Sequence, residues 1–134
     1  DEGVFVNILF PDRDTDGWET NTASIVSRLE YGDSSVLLTG DAPAKIEKFL
    51  VKYDDLRSDV LKLGHHGSNT SSAEEFIAEV LPDYAIVSSG KNNRYKHPHP
   101  AVVERVSKYV KNVLNTAEVG TIKFVLKKDR VLLK

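Results

Sequence analysis

Asp59-Val60-Leu61-Lys62-Leu63-Gly64-His65-His66-Gly67-Ser68 joins a short, mostly apolar strand to a polar turn that carries two imidazoles between glycines. The stretch before it, Leu38-Thr39-Gly40-Asp41, ends another strand in the same way and leads into a helix. The stretch after it, Ser88-Ser89-Gly90-Lys91-Asn92-Asn93, does so again. Strand, polar glycine-containing loop and helix in succession are the pattern of an α/β fold. In such folds ligands bind in the crevice outside the carboxyl ends of the strands. If the three strands share a sheet and run the same way, Asp41, His65, His66 and the 88–99 loop meet on one rim. All four histidines, at 65, 66, 97 and 99, fall in two of these loops.

Working outward, residues 4–10 read as a strand followed by a polar loop. Residues 23–31 and 34–39 read as two strands joined at Tyr31-Gly32-Asp33, where Gly and Asp tolerate positive φ. Residues 42–53 read as a helix with Asp41 at its N-cap, Pro43 in the first turn, and Ile46, Phe49, Leu50 and Tyr53 at helical spacing. Strands at 59–63 and 84–88 flank a helix at 72–81. Ser71 with Glu74, or Ser72 with Glu75, offers that helix a capping box. A third helix at 99–111 carries Val103, Val106 and Val110 on one stripe, and Gly120 to Leu133 reads as a hairpin around Lys128-Asp129. No repeat, linker or low-complexity stretch divides the chain, so residues 1–134 are expected to form a single domain.

The 134 residues are 40% apolar and 28% charged, the composition of a globular domain. The net charge of −2 gives no basic excess for nucleic acid or an anionic membrane, although a metal ion could supply positive charge at a phosphate. Cysteine is absent, which excludes thiol catalysis, thiolate metal sites and disulfides. There is no apolar run long enough to cross a bilayer. Methionine is absent too, and a strand begins almost at Asp1. The expectation is therefore an excised domain, continuous with a longer polypeptide.

Several residues in the loops suit chemistry, and each has a plainer reading beside it. Asp41 is either a helix cap or a carboxylate pinned at a strand end for a hard cation. Histidine is the commonest metal ligand and the usual acid–base group at neutral pH. Neighbours on an extended segment point to opposite sides, so His65 is favoured as the ligand, with His66 nearer the substrate. The run from Ser88 to Pro100 is either a solvated loop or a substrate-side loop. In the second case Asn, Lys and Arg face phosphate oxygens, and His97 serves as acid or ligand. Asn69-Thr70-Ser71-Ser72 either caps a helix or helps hold an anion at its start. Trp18 is a lid or a local anchor.

Leu38-Thr39-Gly40-Asp41 followed by Leu63-Gly64-His65-His66-Gly67-Ser68, with Asn21 and Ser24 ahead and Ser88-x-Gly90-x-x-Asn93-x-Tyr95-x-His97-Pro98 behind, resembles one family. It is the metallo-β-lactamase-like domain of the ComEC competence (DNA-uptake) proteins, with its stand-alone soluble hydrolase relatives. The resemblance covers residues from about 4 to about 122. It implies an αββα sandwich, of which this α/β chain is expected to be the C-terminal half, a mixed sheet with helices. It also implies divalent metal, zinc or manganese, that activates water and neutralises charge on an ester or phosphodiester. By motif Asp41 and His65 match metal ligands, His66 and His97 catalytic positions, and Ser68, Ser88 and Asn93 positions near the substrate. The implied activity is that of a phosphodiesterase or nuclease, and the implied partner is nucleic acid. As part of a competence membrane protein the domain would lie outside the cytoplasm, and otherwise within it.

Two features depart from the family. The signature cluster His-x-His-x-Asp-His is missing, and Lys96 stands where the family more often has Gly. The chain alone is expected to offer two or three ligands where zinc takes three or four, and to turn over little or nothing. The alternative is a degenerate α/β module that binds a partner without hydrolysing it. A further alternative is a metal-free protein in which Asp41 and the histidines serve structure alone.

Overall fold

A computed structural model describes residues 3–52 and 55–134. Strands β1 (Val4–Phe10), β2 (Val26–Tyr31) and β3 (Ser34–Leu38) lead into helix α1 (Ala44–Leu50). Then come β4 (Val60–Lys62), α2 (Glu74–Val80), β5 (Tyr84–Val87), α3 (Pro100–Ser107), β6 (Asn112–Asn115) and the one-turn α4 (Thr116–Val119). Strands β7 (Phe124–Leu126) and β8 (Val131–Leu133) close the chain as a hairpin. Tyr53, expected on the first helix, lies outside the described residues. Among those described, no helix is long and apolar enough to cross a membrane.

The main sheet runs β1-β2-β3-β4-β5-β6. Its first pairings are antiparallel, and β3 to β6 are parallel. This is the mixed sheet with helices that the sequence leads one to expect. The β2–β3 hairpin turns at Gly32 and Asp33 with Tyr31 opposite Ser34, and Gly32 has φ +60°. Because β3, β4, β5 and β6 follow one another in order, each crossover helix falls on the same face of the sheet. Contacts of α2 with both α1 and α3 agree with this. Between the layers lie Leu37, Leu61, Ala85 and Val87 from the strands, with Leu50, Ile77, Val102 and Val106 from the helices, all fully buried. Each large aliphatic side chain there stabilises the fold by about 1.5–3 kcal/mol.

The structure corrects several expectations. Residues 23–25 are loop, and the third helix stops at Ser107, with Val102 and not Val103 on its buried stripe. Residues 112–115 form the edge strand β6, which a segment of two apolar residues between asparagines does not announce. Asp41 does not cap α1, whose start is Pro43 with no side-chain cap. The capping box before α2 does not form either: the Ser71 hydroxyl donates to the carbonyls of Gly64 and Ser68, and the Ser72 hydroxyl is buried without a partner.

A residue on another helix caps α2 instead. Glu47 of α1 is 1% exposed, and its carboxylate accepts the backbone N–H groups of Ser72 at 2.9 Å and Ala73 at 2.7 Å. Thus the anion at the start of α2 belongs to the protein itself. Burial pushes the Glu47 carboxyl up to about 7, against these two hydrogen bonds and the charge of Arg105, which pull it down.

Candidate active site

The carboxyl ends of β3, β4 and β5 lie side by side because their strands are parallel, so the loops that leave them share one rim. The rim is cross-tied from below by Lys62, whose side chain is half-buried at the end of β4. Its ammonium donates to the carbonyls of Gly40 at 3.2 Å and Leu63 at 3.1 Å, joining the strand end that carries Asp41 to the one that carries the histidines. The Thr39 hydroxyl donates to the Lys62 carbonyl at 2.8 Å, and the His65 N–H donates to the Gly40 carbonyl at 3.1 Å. Burial lowers the Lys62 pKa while the Asp41 charge opposes that shift. Neither Lys62 nor Thr39 stands out in the sequence. The available signal was a lysine in a strand whose neighbours are all buried.

His65 and His66 do not lie on the extended segment that the sequence leads one to expect. Both adopt left-handed backbone conformations, His65 at φ 47°, ψ 47° and His66 at φ 57°, ψ 22°. Non-glycine residues seldom occupy this region, and such strain clusters at functional sites. The turn is held by Ser68 N–H donating to the His65 carbonyl at 2.9 Å and by the Ser71 hydroxyl on Gly64.

This conformation sends the two rings in different directions. The His66 Nδ1 lies 2.7 Å from the Ser88 carbonyl, a contact that requires a proton on Nδ1. In the neutral ring Nε2 then carries the lone pair, and Nε2 lies 3.7 Å from Asp41 Oδ1. The imidazole nitrogen within reach of Asp41 thus belongs to His66. The His65 ring meets His66 at 6.2 Å between centroids and His97 at 5.7 Å, both edge to face.

The 88–99 loop closes the other side. Asn93 gives both ends of its amide to this loop: Nδ2 donates to the carbonyls of Gly90 and His97, and Oδ1 accepts the His97 N–H at 2.8 Å. Ser88 contributes its carbonyl to His66, while the Ser68 hydroxyl is turned inward to Thr70. Desolvation, and then the nearby imidazoles of His65, His66 and His99, lower the pKa of His97, with the Asp41 charge opposing. A cleft of about 360 Å³ opens here, lined by His66, Ser88, Ser89, Gly90, Asn93, Tyr95 and His97. Trp18 stands elsewhere, its ring 6.1 Å from that of Phe10.

The two loops meet at Gly67, which has φ +80°. A Cβ added there would stand 2.7 Å from the Pro98 Cβ, and the Gly67 carbonyl accepts the His99 N–H at 2.9 Å. Gly67→Ala is therefore expected to lose about 1–3 kcal/mol from the unfavourable backbone alone. It should also push the His97 loop away from the histidine turn. Urea denaturation reads the first effect and the imidazole proton spectrum the second.

Asp41 and His66 supply two donors of the kinds that hard and borderline divalent ions take, with the His66 ring oriented by a backbone carbonyl as metal-bound histidines are. They fit such an ion as a pair. Among the described residues, no group of three or more His, Asp or Glu side chains is close enough to hold one.

Comparison with known proteins bears on this rim. A family model described as Metallo-beta-lactamase superfamily matches residues 1–91, a span that includes Asp41, His65, His66, Ser68 and Ser88. ComE operon protein 3 of Bacillus subtilis (strain 168) is 43% identical over 105 residues, covering 78% of this chain and 14% of that protein. Recombination protein 2 of Haemophilus influenzae is 44% identical over 111 residues, covering 83% of this chain and 14% of that protein. Competence protein ComA of Neisseria gonorrhoeae is 46% identical over 110 residues, covering 81% of this chain and 16% of that protein. The chain therefore spans about one-seventh of the length of these relatives.

Proposed function

Because this chain belongs to the metallo-beta-lactamase superfamily, we propose that its rim is part of a metal-dependent hydrolytic site for phosphodiesters, nucleic acid being the substrate class. The superfamily usually binds divalent metals, and relatives named for competence and recombination favour a nucleic-acid backbone as the target. The single observation carrying the proposal is the pairing at Asp41. The His66 Nε2, an acceptor while the ring is neutral, and an Asp41 carboxylate oxygen face each other at 3.7 Å. Two acceptors at that separation repel unless a proton or a cation lies between them.

Asp41 and His66 would hold the cation, with its remaining positions filled by water or by donors outside the described residues. When bound, a cation such as zinc or manganese supplies Lewis-acid neutralisation of phosphate charge and acidifies water for attack. The chain's own groups do the rest. The Ser88 carbonyl keeps the proton of His66 on Nδ1 and its Nε2 available. Desolvation favours the neutral form of the His97 ring, which can accept a proton at the cleft. Asn93 holds His97 in place, and Lys62 holds the Asp41 loop against the histidine turn.

A second reading, a fold that binds nucleic acid without cutting it, draws on the absence of a three-donor group among the described residues. Titration of this chain with manganese and zinc, followed by melting temperature, tests the metal. A saturable rise is expected, and no rise at millimolar metal would remove the hydrolytic reading. Turnover of bis-p-nitrophenyl phosphate separates the two readings: the isolated chain is expected to be nearly inactive. Metal-dependent turnover should appear once a segment supplying further donors is added.

A further inference from the structure

Tyr95 is 63% exposed, yet it stands at the cleft with its ring stacked on that of His97, 5.7 Å between centroids and 22° between planes. The Arg94 guanidinium lies 4.6 Å over the Tyr95 ring and also bonds the tyrosine hydroxyl. His97, Tyr95 and the Arg94 guanidinium thus stack in turn, with His65 meeting His97 edge to face. Burial does not explain an aromatic side chain left this open at a cleft mouth. The loop that presents it is stiff, because Asn93 bonds it at Gly90 and twice at His97.

The local charge is also unusual. The whole chain is net negative, but between Asp83 and Glu104 it carries no carboxylate and holds Lys91, Arg94 and Lys96. An exposed tyrosine whose ring already carries a mobile-ended flat cation suits a ligand that is itself flat and anionic. Base-on-aromatic stacking beside a basic track is how sequence-tolerant single-strand binders work.

We infer that Tyr95 is a base-stacking subsite: an unpaired nucleobase takes the place of the Arg94 guanidinium over the Tyr95 ring, while the displaced Arg94 and the neighbouring lysines meet the adjoining phosphates. This rests on the nucleic-acid reading of the rim and adds to it a demand for an unpaired base, since a base inside a duplex has no free face to offer. Tyr95 is accordingly a specificity residue, acting on affinity and not on the hydrolytic step.

The experiment measures fluorescence anisotropy of a labelled single-stranded oligothymidylate, an abasic oligomer of equal length and charge, and a duplex, in chelator-containing buffer. The base-bearing strand is expected to bind about ten-fold more tightly than the abasic one. Tyr95→Ala should erase that ratio and Tyr95→Phe should keep it, while Arg94→Gln should weaken both single strands alike. Tyr95 is exposed enough for these variants to fold, which their melting temperatures check. Equal binding of the two single strands by the unsubstituted chain, a ratio that survives Tyr95→Ala, or stronger binding of the duplex would each overturn the inference. The measurement contains no metal, so failure of the hydrolytic reading in the metal titration leaves it intact, and the reverse also holds.

Discussion

Replacing Asp41 by Ala or His66 by Asn should remove the metal-induced rise in melting temperature. Loss of a group that merely orients a ligand weakens metal affinity about 10–100-fold, so loss of a donor should cost at least about 100-fold. Both side chains are partly exposed, at 38% for Asp41 and 49% for His66, so neither change should unfold the protein. Asparagine is the better replacement for His66, because it tolerates the left-handed backbone that this turn imposes. His65→Asn is the informative control. By motif His65 is the expected ligand, whereas the nitrogen beside Asp41 belongs to His66. Calorimetric titration with manganese or zinc therefore ranks the two imidazoles. If His65→Asn abolished binding and His66→Asn did not, the assignment made from the 3.7 Å approach would be wrong.

The largest loss of stability is expected at Glu47. Glu47→Ala leaves the N–H groups of Ser72 and Ala73 buried without acceptors, at about 1–3 kcal/mol each, and opens a cavity besides. A total of about 3–5 kcal/mol is a large share of the roughly 5–15 kcal/mol that holds a domain together. Chemical denaturation should show most of the molecule unfolding early. The same carboxyl makes stability depend on pH. Its folded pKa of about 7 stands above the ordinary 4.5, so the folded state holds the proton more tightly than the unfolded one. That contribution is fully present below about pH 4.5 and is lost as pH rises through about 7. At about 1.4 kcal/mol per unit the change amounts to about 3 kcal/mol. Glu47→Gln, which keeps an acceptor but does not titrate, should flatten this part of the curve. An identical pH slope in the two proteins would show that Glu47 is not the group responsible.

Much of this molecule is legible from local pattern. The polar glycine-containing segment after each of β3, β4 and β5 marks strand ends, and strands separated by helices pair in parallel. The grouping of four histidines in two loops follows at once. What resisted local reading depends on partners distant in the chain. Glu47 looks like an ordinary helical glutamate until α1 is laid against α2, 25 residues away. Asp41 looks like a cap until the strands bring it to His66.

Composition and periodicity mark the elements from β1 to α3 in order and the strand-end loops that carry the reactive side chains. These depend on backbone propensity and on which faces must leave water. The choice between His65 and His66, the capping of α2 and the bracing by Lys62 belong to the tertiary structure. Each turns on a torsion angle or a contact of about 3 Å between segments remote in sequence, and a string of residue types carries no record of either.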